Sequence, residues 1–154
     1  KRIQIHWYGD KETRQSKNDR IDEAFDKIKN YKLDEVIRFS PTRSNIEEEI
    51  RNADAVGLFS IYEGFPNSIC EAMACAKPVI CSAVSDLPKW IDTTSLLCDP
   101  DKPGSIKGAL EKLIHFTNEE LLHIGNHNYN TAVKYFNRER IVTEYLRLLT
   151  SSPS

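Results

Sequence analysis

No apolar run in the 154 residues approaches the roughly 20 needed to cross a bilayer, and the first residues show no signal-peptide pattern. Charge of one sign is also lacking. Lysine and arginine number 21 against 23 aspartates and glutamates, interspersed along the chain, for a formal net charge of -2. That balance excludes the basic stripe of a nucleic-acid module and a polybasic membrane patch. Cysteine is sparse and unpaired in spacing. Cys70, Cys75, Cys81 and Cys98 form no Cys-x-x-Cys, and all lie in apolar segments. They read as buried free thiols of a reducing compartment, neither a disulfide frame nor a zinc site. The histidines, His6, His115, His123 and His127, do not supply ligand spacing either. His123 and His127 share a helix face but have no evident third ligand, so no metal is expected. There is no internal repeat, no low-complexity segment and no initiator methionine. Lys1-Arg2 leads straight into Ile3-Gln4-Ile5-His6-Trp7-Tyr8, so the chain reads as a piece of a longer protein.

What is present alternates between two periods. Short apolar runs predict strands over 3–8, 36–39, 55–60, 79–82 and 95–98. Amphipathic stretches between and after them predict helices over 20–30 and 46–52, one in the stretch that ends at Ala74, a helical turn over 86–91, and three more: one from Pro103, one capped by Asn118 and carrying Leu121, Leu122, Ile124, Ala132, Val133 and Phe136, and one from Asn137. In the helix after Pro103, Ala109, Leu110, Leu113 and Ile114 are expected to face inward. The acidic run Glu47-Glu48-Glu49 sits in the first turn of its helix, where the macrodipole favours it. Strands that are continuously apolar and separated by helices predict a parallel sheet covered on both faces. The fold class is therefore α/β, a Rossmann-like doubly wound domain over 1–149 with a flexible tail over 150–154. In such sheets ligands bind beyond the carboxyl ends of the strands. Gly9-Asp10, Ser40-Pro41-Thr42, Ser60-Ile61-Tyr62-Glu63 and Ser82-Ala83-Val84 all lie on that edge.

One of these segments carries chemistry. Glu63-Gly64-Phe65-Pro66-Asn67-Ser68-Ile69-Cys70-Glu71-Ala72-Met73-Ala74 reads as a tight turn opening a helix, with carboxylates at Glu63 and Glu71 eight positions apart. A helix start presents unpaired N–H groups and the positive end of a dipole, which suits phosphate. Carboxylates accept hydroxyl pairs of sugars. Together they predict a sugar-nucleotide site. Asn67 and Ser68 read equally well as first-turn residues. Phe65 and Tyr62 read more simply as packing residues, and Trp7 and Trp90 as core or interdomain surface.

Several stretches resemble the carboxyl-terminal domain of group 1 retaining glycosyltransferases, enzymes of GT-B fold: Asn52-Ala53-Asp54-Ala55-Val56, Tyr62-Glu63-Gly64-Phe65-Pro66, Glu71-Ala72-Met73-Ala74-Cys75 and Lys77-Pro78-Val79-Ile80. The resemblance runs from about Ile3 to Leu149. It implies that Glu71 accepts ribose hydroxyls and that Glu63, the residue it marks as catalytic, contacts the sugar being transferred. It implies that amides of Gly64, Phe65, Asn67 and Ser68 approach the diphosphate, and that the segment with Thr42 lies where the base is held. The donor is a nucleoside-diphosphate sugar, with no cofactor and no metal. The acceptor, a sugar or lipid-linked sugar, would be read by a separate amino-terminal domain. An Arg and a Lys that clamp the diphosphate would precede Lys1, so this chain alone is expected to be inactive. A cytoplasmic location follows, with peripheral membrane association open to the full-length enzyme. Two positions depart from the family pattern: Lys89 stands for a glutamate, and Ala76 for a glycine. Rival readings are a nucleotide-sugar epimerase or a glycosyl phosphorylase of the same architecture, or a noncatalytic receiver-like module. The receiver-like module would need an aspartate where Ser60 ends the third strand.

Overall fold

The computed structural model describes residues 3–9, 19–91 and 96–150. Asp10, the polar stretch 11–18, Ser95 and the residues after Thr150 lie outside them. The chain divides into two compact units between Ile46 and Glu47.

In the first unit, β1 (Ile5–Tyr8) pairs in parallel with β2 (Ile37–Ser40), Ile5 opposite Ile37 and Tyr8 opposite Ser40. Between them runs α1 (Asp19–Asn30), whose Ile21, Ala24, Phe25 and Ile28 recur at three- and four-residue steps. Ile28 is buried, and the other three are half-buried. Phe39 of β2 packs against two aromatic rings. Its ring lies 4.7 Å from Phe25 and 5.9 Å from Trp7. Trp7 is therefore a packed surface residue.

The second unit holds a three-stranded parallel sheet in the order β3 (Val56–Leu58), β4 (Val79–Ser82), β5 (Leu97–Cys98). All four residues of β4 are buried. That burial requires cover on both faces and explains the absence of polar alternation in its sequence. On one face Ile80, Leu96 and Cys98 meet Ala109, with Ile106, Leu110 and Leu113, of α5 (Pro103–His115). Of the side chains expected inward on α5, Ala109 is buried, and Leu110, Leu113 and Ile114 are half-buried. The helix α3 (Asn67–Ala74) packs along β3 and β4, and α2 (Ile46–Asn52) precedes β3. Glu47 of α2 pairs with Arg51 one turn on, at 2.6 Å, a solvated pair of little weight. The expected turn over 86–91 is α4 (Leu87–Trp90).

Two long helices complete the chain. The first, α6 (Asn118–Tyr135), is capped by Thr117 and not by Asn118 as its sequence position suggests. The Thr117 hydroxyl accepts from the Glu120 amide, and the Glu120 carboxylate accepts from the Thr117 amide. That capping box is written in Thr117-x-x-Glu120, so Asn118 is the first helical residue. Leu122 and Val133, expected on the apolar stripe of α6, are exposed, whereas Gly125, Asn128 and Ala132 are the buried positions. The stripe is narrow because α6 meets α3 by close backbone approach. The second, α7 (Arg138–Thr150), starts where Asn137 Oδ1 accepts from the Arg140 amide. It buries none of its residues in this unit; Ile141, Tyr145, Leu148 and Leu149 are all exposed.

The connection from α3 to β4 is the tightest point. The Lys77 amide donates to Ala72 O and the Ala76 amide to Met73 O, both at 3.0 Å, the two bonds of a Schellman stop. Such a stop needs one residue at positive φ. Ala76 provides it at φ 56°, which explains why a glycine is usual there and what alanine costs: about 1 kcal/mol of steric strain. From the other side, Gly125 presses on this turn. A Cβ on Gly125 would lie 2.1 Å from the Ala76 carbonyl oxygen. Asn128, 1% exposed, donates its Nδ2 to the Lys77 carbonyl at 2.9 Å. We expect Ala76→Gly to raise stability by about 0.5–1 kcal/mol and Gly125→Ala to lower it by about 1–3 kcal/mol or more. Urea unfolding would measure both.

All four cysteines are free thiols; Cys81 and Cys98 are buried, whereas Cys70 and Cys75 are only half-buried. Burial pushes the Cys81 thiol up to about 12, helped by Cys98, and raises Cys98 as well. An unfolded thiol ionises near 9.0, so burial of the neutral thiol stabilises the fold below that pH. That contribution is lost as pH rises toward about 12. Stability should fall from about pH 9 upward, and more gently in Cys81→Ala, as read from urea midpoints at about pH 8 and about pH 10.5.

Candidate donor-binding site

The site grows out of α3. Eight residues are too few to hold a helix in water unaided. Ile69, Ala72 and Met73 recur at three- and four-residue steps and are fully buried; each large side chain adds roughly 1.5–3 kcal/mol. With that face inward, Asn67, Ser68 and Glu71 project outward and are exposed. Pro66 caps the helix with φ -80° and no side-chain cap bond. It is itself among the most buried residues, and its carbonyl accepts from Ile69 and Cys70. Lacking an N–H, it removes one donor that the helix start would otherwise leave bare.

The remaining donors divide. The Asn67 amide donates to Phe65 O at 2.9 Å, so it is committed within the turn, and the exposed Asn67 side chain is what it presents outward. Among the described residues the amides of Gly64, Phe65 and Ser68 have no hydrogen-bond partner. They gather at the positive end of α3. Glu63 is half-buried in the turn and Glu71 exposed on the helix. Neither carboxylate has a hydrogen bond or ion pair among the described residues. The Cys70 thiol beside Glu71 is pushed up to about 11, first by burial and then by that carboxylate, so it stays protonated at neutral pH.

The turn is held from outside. The Ser85 hydroxyl, in the β4–α4 loop, donates to the Gly64 carbonyl at 2.9 Å. The Phe65 ring, though 53% exposed, meets Trp90 and Phe136 edge-on, each at 5.9 Å, while Trp90 and Phe136 close the triangle at 4.9 Å. Phe65 thus packs as its sequence suggests, and Trp90 is part of that packing. Tyr62 does not pack; it is 85% exposed. Lys89 is paired with Asp86 at 2.6 Å. Nothing in the sequence marked Ser85. Thr42 belongs to the first unit, exposed two residues beyond β2 at the carboxyl edge of that unit's own sheet. Among the described residues no group of three or more His, Cys, Asp or Glu is arranged to hold a metal ion.

Chemically, the turn after β3 and the start of α3 offer two carboxylates and three amides that have no partner among the described residues. That set accepts from hydroxyls and donates to an anion. Known proteins match most of this chain's length. N-acetyl-alpha-D-glucosaminyl L-malate synthase of Bacillus anthracis is 29% identical over 122 residues, covering 77% of this chain and 31% of that protein. A structure of Anabaena HepE in complex with UDP superposes with a TM-score of 0.88 at 20% identity, over 97% of this chain and 41% of that one. The C-terminal domain of the glycosyl transferase group 1 protein LpcC from Francisella tularensis gives a TM-score of 0.70 at 25% identity, over 79% of this chain and 64% of that one. The fold is thus the expected parallel α/β fold of GT-B enzymes, and the chain spans about a third of the Bacillus relative's length. Residues 8–131 match the family model for glycosyl transferases group 1, and this chain belongs to that family.

Proposed function

We propose that the chain is the donor-holding part of a retaining glycosyltransferase. In the full-length enzyme it serves transfer of a hexosyl group from a nucleoside-diphosphate sugar to an acceptor hydroxyl. The observation that carries this reading is the pair of unpartnered carboxylates flanking a helix start with three unpartnered amides. The family relationship and the UDP held by the Anabaena neighbour support it.

In this reading Glu71 accepts two ribose hydroxyls and Glu63 accepts hydroxyls of the sugar being transferred. A carboxylate bound to a diol makes short charge-assisted hydrogen bonds and selects its geometry. The amides of Gly64, Phe65 and Ser68 face the diphosphate. As the glycosidic bond breaks, charge grows on the leaving phosphate, and preorganised amides at a dipole end stabilise it without reorganising. The reading therefore assigns no metal or other cofactor a role. Thr42 and its neighbours are assigned to the base. The acceptor, a sugar or lipid-linked sugar, is bound by another part of the protein, at a cytoplasmic site that can lie against a membrane.

Glu63→Ala and Glu71→Ala should each lower kcat/KM of the full-length enzyme roughly ten- to a hundredfold, equivalent to about 1.5–3 kcal/mol per lost charged contact. Neither carboxylate supports the fold, so melting should shift by no more than about 0.5 kcal/mol in stability. Steady-state assays with UDP-, GDP- and ADP-sugars, with and without acceptor, would measure the first effect and separate transfer from epimerisation or phosphorolysis. Normal activity in both variants would sink the reading.

A further inference from the structure

We propose that Ser85 is a positioning residue for the phosphate-facing end of this site, acting through the peptide that joins Gly64 to Phe65. The proposal rests on the donor-site reading above. The Ser85 hydroxyl donates to the Gly64 carbonyl at 2.9 Å, from 21 residues away in sequence. That carbonyl and the Phe65 N–H belong to one planar trans peptide and point in opposite directions. Holding the oxygen therefore aims the N–H, and the Phe65 N–H is one of the three amides with no partner among the described residues. A carbonyl that accepts a hydrogen bond also polarises its peptide, which makes the N–H a better donor. The far side of the same peptide is held as well. The Phe65 ring is wedged against Trp90 and Phe136, each 5.9 Å away, and Trp90 comes from the same short segment as Ser85. Rotation of the peptide is opposed at both ends.

Ser85 adopts φ 54°, the left-handed region in which only glycine sits freely. Glycine would relieve the backbone but could not supply the hydroxyl. Ser85→Gly therefore has two effects of opposite sign, and they separate in different measurements. A merely structural serine would give a variant that is more stable and binds as before.

The test is Ser85→Gly in the full-length protein, with UDP, GDP and ADP and the matching nucleosides as probes, titrated by calorimetry or NMR, alongside thermal melts. We expect an unchanged or higher Tm, a Kd for the bound diphosphate weakened roughly three- to tenfold, and an unchanged Kd for its nucleoside. Ser85→Ala, which keeps the strain and loses the hydroxyl, should show the same loss of affinity without the gain in Tm. Diphosphate binding as tight as wild type in Ser85→Gly overturns the proposal and leaves the donor site standing. Equal weakening of diphosphate and nucleoside also overturns it, because the hydroxyl would then act on the fold at large. A wild-type protein that binds none of the probes overturns the donor-site reading and this proposal together.

Discussion

Burial of one face of α3 is the constraint on which the site depends. Ile69, Ala72 and Met73 are withdrawn completely from water, and an eight-residue helix exists only because of that. The helix cannot rotate without exposing Met73 or Ile69. Its outward face is thereby set, and with it the direction of Glu71 and of the first-turn amides. The polar end of the helix has a set direction because the apolar stripe leaves it no freedom.

Both ends of α3 are then tied. At the far end the Schellman stop through Ala76 is pressed by Gly125 and bridged by Asn128, so α6 acts as a strut behind the helix. At the near end the turn is fixed by different forces. A hydroxyl from Ser85 holds the Gly64 carbonyl, and an edge-to-face triangle of Phe65, Trp90 and Phe136 holds the next residue. Aromatic edge contacts of this kind add about 0.5–1.5 kcal/mol beyond simple burial. They suit a half-exposed turn because they fix ring orientation without needing a fully closed core. Amides held rigidly in one direction lose little free energy in reorganising when they meet an anion.

Much of this was legible locally. The continuous apolar run 79–82 announced a strand covered on both faces, and β4 is buried throughout. The three- and four-residue steps of Ile69, Ala72 and Met73 are a signal of the same local kind, and the face they bury leaves Glu71 outward. Thr117-x-x-Glu120 spells the capping box that starts α6. Each of these signals is carried by residues within one or two turns of each other, where backbone geometry alone decides which side chains share a face.

By itself, then, the sequence determined the order of parallel strands and helices, the turn that opens α3, and the two carboxylates beside it. Tertiary structure alone decided how that turn is held, through the Ser85 hydroxyl on the Gly64 carbonyl. It also decided that Tyr62 stands in solvent while Phe65 packs, and that α6 approaches through Gly125 and Asn128 instead of Leu122 and Val133. The physical reason is separation along the chain. Ser85 meets Gly64 from 21 residues away, and Asn128 meets Lys77 from 51. No local period encodes such pairs. They form only when the packed sheet brings the strand ends and the helix backs to fixed distances.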